Sequence, residues 1–178
     1  RQVRDTTLAL SSYQTAIEVD PSYYDAYVEA GLVCASYGNP LAKEYYNSAI
    51  DLHPNFVEPH YNKAIFLQET GVNNPSNYVE ALQCYDKIIA IDANFSAAYF
   101  NKGFVNLVYL KDYQKGIEAF NLALEKNPAY YQAAYNRALC YEGKGDKTNA
   151  EADLNLALKI KPDYTEAALE LGRLRGDD

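Results

Sequence analysis

Histidine and cysteine are the first residues to test for chemistry, because they bind metals and act as nucleophiles. There are two histidines, His53 and His60, and their separation matches no standard zinc spacing. The three cysteines, Cys34, Cys84 and Cys140, are an odd number and lie far apart, so neither a disulfide framework nor a zinc ribbon fits. Each sits among apolar neighbours, where a buried, unreactive thiol is the default. The segment from Glu142 to Asp146 (Glu-Gly-Lys-Gly-Asp) lacks the long glycine-rich loop of a nucleotide site. Asn94-Phe95-Ser96 matches a glycosylation sequon, but such triplets are frequent by chance. These residues support no catalytic site, no metal site and no cofactor, and we expect a protein that is not an enzyme.

The composition narrows the classes further. Of 178 residues, 22% are charged and 48% apolar, an ordinary globular balance. Sixteen Lys and Arg against 24 Asp and Glu give a net charge of -8. An acidic chain of this kind is a poor partner for nucleic acid, whose binding depends on neutralising phosphates. No run approaches the eighteen apolar residues that suggest a membrane span. Tyrosine is abundant at 18, while Met and Trp are absent.

Four series of residues then show what the chain must build. Turn-like triplets end in Tyr23, Phe56, Phe95, Tyr130 and Tyr164. Gly31, Ala64, Gly103, Ala138 and Gly172 repeat at the same irregular intervals, and so do Ala16, Ala49, Ile88, Ala123 and Ala157. Ala42, Ala81, Gly116 and Ala150 precede the third series by a constant step. All length variation falls between the second and fourth series. Fixed spacing marks packed structure and variable spacing marks a turn. Each unit is therefore a helix, a variable turn, a second helix and a short fixed turn carrying the proline. Small and aromatic residues at three-and-four spacing support helices over 24–37 and 131–144. Tyr13, Tyr46, Tyr85 and Phe120 fall three residues before the third series and should fill the gap between helices. Asn77 with Glu80 reads as a capping box opening the second helix of its unit.

This pattern resembles the tetratricopeptide repeat family over nearly the whole chain. The unit from Tyr131 to Tyr164 carries the family's Asn-Arg-Ala, Tyr141, Gly145, Ala150, Ala157 and Pro162 in register. The resemblance implies an all-α fold, a right-handed superhelical solenoid of antiparallel helix pairs forming one domain. Its parts are a second-type helix over 1–20, repeats at 24–56, 57–95, 96–130 and 131–164, and a closing helix over 165–178. The 57–95 repeat carries a turn insertion at 72–77. The lone first helix lacks a partner, so residues upstream of Arg1 are expected. In the 96–130 repeat, which has one extra residue, Asn106 falls where Leu67 and Tyr141 sit. A one-residue bulge would bring Leu107 into that core slot instead.

In this family first-type helices line a concave groove that binds an extended or short helical segment of another protein. The side chains carried over to that face are Tyr61, Asn62 and Ile65, then Phe100, Asn101 and Phe104, then Tyr135, Asn136 and Leu139. Asn62, Asn101 and Asn136 resemble ladders that hold a peptide backbone, since an amide both donates and accepts. The plainer reading, that they satisfy local helix groups, is the stronger one. Lys63, Lys102 and Arg137 read as stems covering apolar surface with charges reaching water. Asp25, Glu29, Glu58, Glu142 and Glu170 suggest an acidic groove, or simply a solvated face, that suits a neutral or basic segment better than an acidic one. His60 falls in the slot of Tyr27 and Tyr99 and reads as a packed ring. The repeat places histidines, cysteines and serines in different units, so no triad can be argued.

The expected function is a non-enzymatic scaffold that binds a partner's peptide segment. The alternative is a self-associating structural module with no peptide ligand. The Tyr- and Asn-rich style is similar to bacterial repeat proteins of the cell envelope, some of them lipoproteins. A bacterial cytoplasm or cell envelope is the expected compartment, with no direct membrane insertion.

Overall fold

Helices form where small and aromatic residues recur at helical spacing, and they stop at each Gly-, Asn- or Pro-bearing segment. A computed structural model describes the backbone of residues 2–176 and the side chains of residues 7–176. It contains α1 (Gln2–Val19), α2 (Tyr24–Ala35), α3 (Leu41–Leu52), α4 (Val57–Thr70) and α5 (Ser76–Ile91). There follow α6 (Ser96–Phe104), a π-helical continuation (Val105–Leu110), α7 (Tyr113–Lys126), α8 (Tyr131–Gly143), α9 (Lys147–Ile160) and α10 (Thr165–Arg175). No strand occurs among the described residues.

The chain divides into two compact units, Arg1–Asp92 and Ala93–Asp178. In the first, α1 packs on α2, α2 pairs with α3, α3 packs on α4, and α4 pairs with α5. In the second, α6 and its π-helical extension pair with α7, α7 packs on α8, α8 pairs with α9, and α9 packs on α10. The small-residue series mark the contacts. Ala42, Ala49, Ala64, Ala81, Ala123, Ala150 and Ala157 are completely buried. A methyl group on Gly31 would lie 2.5 Å from the Tyr46 ring, and one on Gly103 would lie 2.7 Å from the Phe120 ring. Both rings are fully buried. With Tyr85 and Leu154 they fill the space between paired helices, each contributing roughly 1.5–3 kcal/mol of burial.

The helix starts correct one expectation. Asn77 does not open a capping box, because α5 begins one residue earlier, at Ser76, with Pro75 at its N-cap. Inside the first turn, Asn77 donates instead to the Thr70 hydroxyl at 2.9 Å. Glu80 turns away to receive Lys43 and Lys63. Side-chain caps occur at α7 and α9, where Asp112 and Asp146 accept from the backbone N–H three residues on, each at 3.1 Å.

The bulge in the 96–130 repeat is present as the π-helical turn, but it falls after the slot and not before it. In the first and last full repeats one backbone bond closes the helix, Asn39 N–H to Cys34 O and Asp146 N–H to Tyr141 O, each at 2.9 Å. The equivalent bond here runs from Asp112 N–H to Asn106 O at 2.9 Å and spans one more residue. Asn106 therefore keeps the slot of Leu67 and Tyr141, and the extra residue is absorbed between 106 and 112. Asn106 and Leu107 are both buried. The Asn106 amide donates to Lys102 O at 2.8 Å, but its Oδ1 has no hydrogen-bond partner.

Candidate functional site

In the first three full pairs the turn at the start is tied to the first helix by a ring six residues later. Tyr27 donates its hydroxyl to Pro21 O at 3.2 Å, and Tyr99 donates to Ala93 O at 3.3 Å. His60 does the same through Nε2, 3.0 Å from Pro54 O. A carbonyl can only accept, so this geometry requires the hydrogen on Nε2. The ring is buried, and desolvation is the main reason its pKa lies below the ordinary histidine value, with Lys87 and Lys63 acting in the same direction against the Pro54 bond. His60 is thus the packed ring that the repeat pattern implies.

The linkage has a definite sign. A histidine whose folded pKa is lowered binds protons more readily in the unfolded chain, so stability falls as pH drops through the unfolded value near 6.5. His60→Tyr keeps a donor for Pro54 O and removes the titration. The fall in melting temperature between pH 7.5 and pH 5.5 should be smaller in His60→Tyr than in the unmodified chain. Identical falls would rule out His60 as a source of the pH dependence.

Two of the three candidate cations are not held out to water. Lys63 lies 2.9 Å from Glu80, which also receives Lys43 at 2.6 Å. Burial raises the Glu80 pKa, and these two lysines together outweigh it and hold the carboxyl below its ordinary value. Arg137 grips Asp153 with two bonds, Nε to Oδ2 at 2.7 Å and Nη2 to Oδ1 at 2.5 Å, and also donates to Asn121 Oδ1 at 2.6 Å. These heads cross to the second helices of their own or neighbouring pairs, so their charges serve packing. A cavity of about 480 Å³ beside Lys63, lined also by Asn47, His60 and Lys87, has the doubly bonded Glu80 in its wall.

The predicted groove residues separate by unit. In the first, Tyr61, Asn62 and Ile65 on α4 face Leu32 and Ala35 on α2 across a cavity of about 220 Å³, with Tyr46, Phe66 and Glu69 completing its wall. Asn62 is half-buried, and its side chain makes no hydrogen bond to a described residue. Leu32 is 40% exposed. Burial, aided by Cys34 and the Glu69 carboxylate, pushes the Tyr46 phenol up to about 12. Glu69 was not among the residues singled out, although it falls one turn beyond Ile65 on the same helix face.

In the second unit, Phe100, Phe104, Tyr135 and Leu139 are half-buried. Phe100 stacks on Tyr130 with centroids 4.7 Å apart, and Tyr135 meets Tyr164 edge-on at 5.3 Å. Asn136 donates back to Gln132 O at 2.8 Å, the local helix role. Glu142 and Glu170 are both held by Arg173. Burial, with Glu170, Glu166 and Glu142 nearby, raises the Tyr135 phenol. Among the described residues no cluster of His, Cys, Asp or Glu could hold a metal ion. No helix among them is long and apolar enough to cross a membrane.

Paired helices, recurrent small contacts and ring-tied turns define an α-helical repeat protein. Residues 104–165 match the family model described as tetratricopeptide repeat, and a solved structure of such a protein shares the fold. A crystal structure of MamA protein superposes with a TM-score of 0.78 at 22% identity, covering 93% of this chain and 88% of that one. YrrB, described as a TPR protein with an unusual peptide-binding site, gives a TM-score of 0.76 at 23% identity, covering 95% of this chain and 84% of that one. By sequence, the chain is 27% identical over 169 residues to the human Protein O-mannosyl-transferase TMTC3, which covers 92% of this chain and 18% of that protein. It spans about a fifth or less of the length of its sequence relatives.

Proposed function

We propose that the chain is a non-enzymatic protein-interaction scaffold that receives a peptide segment of a partner on the first helices of its pairs. The observation that carries this reading is the cavity between α2 and α4, where Asn62 has an amide free to pair and Leu32, Tyr61 and Ile65 offer apolar surface. The similar fold of YrrB, a protein described as having a peptide-binding site, supports the same use here. Phe100, Asn101, Phe104, Tyr135, Asn136 and Leu139 extend the proposal to the second unit. One amide hydrogen bond adds about 1 kcal/mol net, so affinity must come mainly from side chains buried on the apolar residues.

A peptide array probed with the unmodified chain tests this. Asn62→Ala/Ile65→Ala should weaken the captured peptides about thirtyfold, from roughly 1 kcal/mol at each position. Circular dichroism would first establish that the variant folds alike. A blank array, or equal capture by both proteins, overturns the reading. A blank array together with a concentration-dependent dimer in light scattering would put self-association in its place.

A further inference from the structure

We infer that the cavity between α2 and α4 receives a lysine or arginine side chain from the partner. The inference rests on the peptide-binding reading and specifies which residue type fills this position. The cavity holds about 220 Å³, less than the roughly 300–1,000 Å³ of small-molecule pockets, so one long side chain suits it better than a free ligand. Its walls are Leu32, Ala35, Tyr61, Ile65 and Phe66, which suit an aliphatic stem. Its polar groups are different in kind. Asn62 offers a carbonyl oxygen, and the exposed Glu69 carboxylate makes no hydrogen bond or ion pair with any described residue. Apolar walls beside an unanswered carboxylate match a side chain with an apolar stem and a cationic head.

The surrounding charge points the same way. Glu29 lies one turn before Leu32 on α2, is exposed, and is likewise unpaired with any described residue. The nearby cations are committed elsewhere, since Lys43 and Lys63 both bind Glu80. No cation lines this cavity, so an acidic side chain would find no opposite charge there and would meet the Glu69 carboxylate.

A library of biotinylated dodecapeptides, randomised except for one central residue fixed as Lys, Arg, norleucine or Glu, tests the inference. Norleucine keeps the apolar stem without the charge. On the unmodified full chain the Lys and Arg pools should bind about threefold to fivefold better than the norleucine pool, the scale of a solvent-accessible ion pair. That margin should shrink in high salt. Glu69→Gln should abolish it, and Glu69→Lys should reverse it in favour of the Glu pool. Both changes are at an exposed residue and leave the buried contacts intact. Equal binding of the Lys and norleucine pools, or a margin that survives Glu69→Gln, overturns this inference while the peptide-binding reading stands. Failure of every pool to bind overturns both.

Discussion

Asp153→Ala should lower the unfolding free energy by about 3 kcal/mol, measured by urea denaturation. Asp153 is only 6% exposed, and its carboxylate answers two of the three bonds that Arg137 makes. Alanine leaves the guanidinium in a largely desolvated position with Asn121 as its one remaining partner in this network. The loss comes from stranding a charge, so the paired change Arg137→Met/Asp153→Leu should restore most of the stability, because apolar residues of similar volume need no partner. Asp153→Asn, which keeps an acceptor, should fall between the wild type and alanine. A loss below about 1 kcal/mol for Asp153→Ala would mean that water screens the pair as it screens a surface one.

Deleting Asn106 should leave the fold intact and raise its stability by about 1–3 kcal/mol, the scale of the penalty for an unsatisfied buried polar group. Removing one residue from the middle of an ordinary α-helix turns everything beyond it by about 100° and should wreck its packing. Here the helix already carries one residue more than its counterparts, as the bond from Asp112 to Asn106 shows against the shorter span from Asp146 to Tyr141. Deletion would move Leu107 into the slot that Leu67 fills in another repeat and would remove the orphaned Oδ1. Its one good bond, to Lys102 O, is lost at little expense, since that carbonyl also receives the Val105 N–H. Thermal unfolding decides the matter. A sharp loss of helicity in the deletion variant would show that the π-helical turn is required by its surroundings.

The repeat architecture was legible because helix contacts dictate residue size. Gly31 and Gly103 cannot carry a side chain against Tyr46 and Phe120, so small residues recur wherever helices pair, and their intervals expose the pairs. The extra residue near Asn106 was legible for the same reason, as a break in those intervals. Its placement was not, because only the closing backbone bond shows on which side of the slot the helix widens. The fates of Lys63 and Arg137 were hidden too. Their partners, Glu80 and Asp153, lie on the following helix, and helical periodicity speaks only for neighbours on one helix. Phe100 and Tyr135 were identified by their place in the repeat, but their engagement with Tyr130 and Tyr164 depends on how the next turn folds back. Asn62 and Ile65 line the cavity between α2 and α4, beside an acid that only the cavity's outline brought forward.

The three cysteines have a use that their silence in the native chain makes possible. Cys34, Cys84 and Cys140 are all free and buried, one each in the first, second and fourth full helix pairs. Burial pushes the Cys140 thiol up to about 12 and raises the other two, so little thiolate exists while the helices stay closed. An alkylating reagent should therefore react with each sulfur chiefly when the helices packed around it open. The chain carries three intrinsic clocks of local unfolding, and the rate at each would time the opening of the helices around that sulfur without any introduced label.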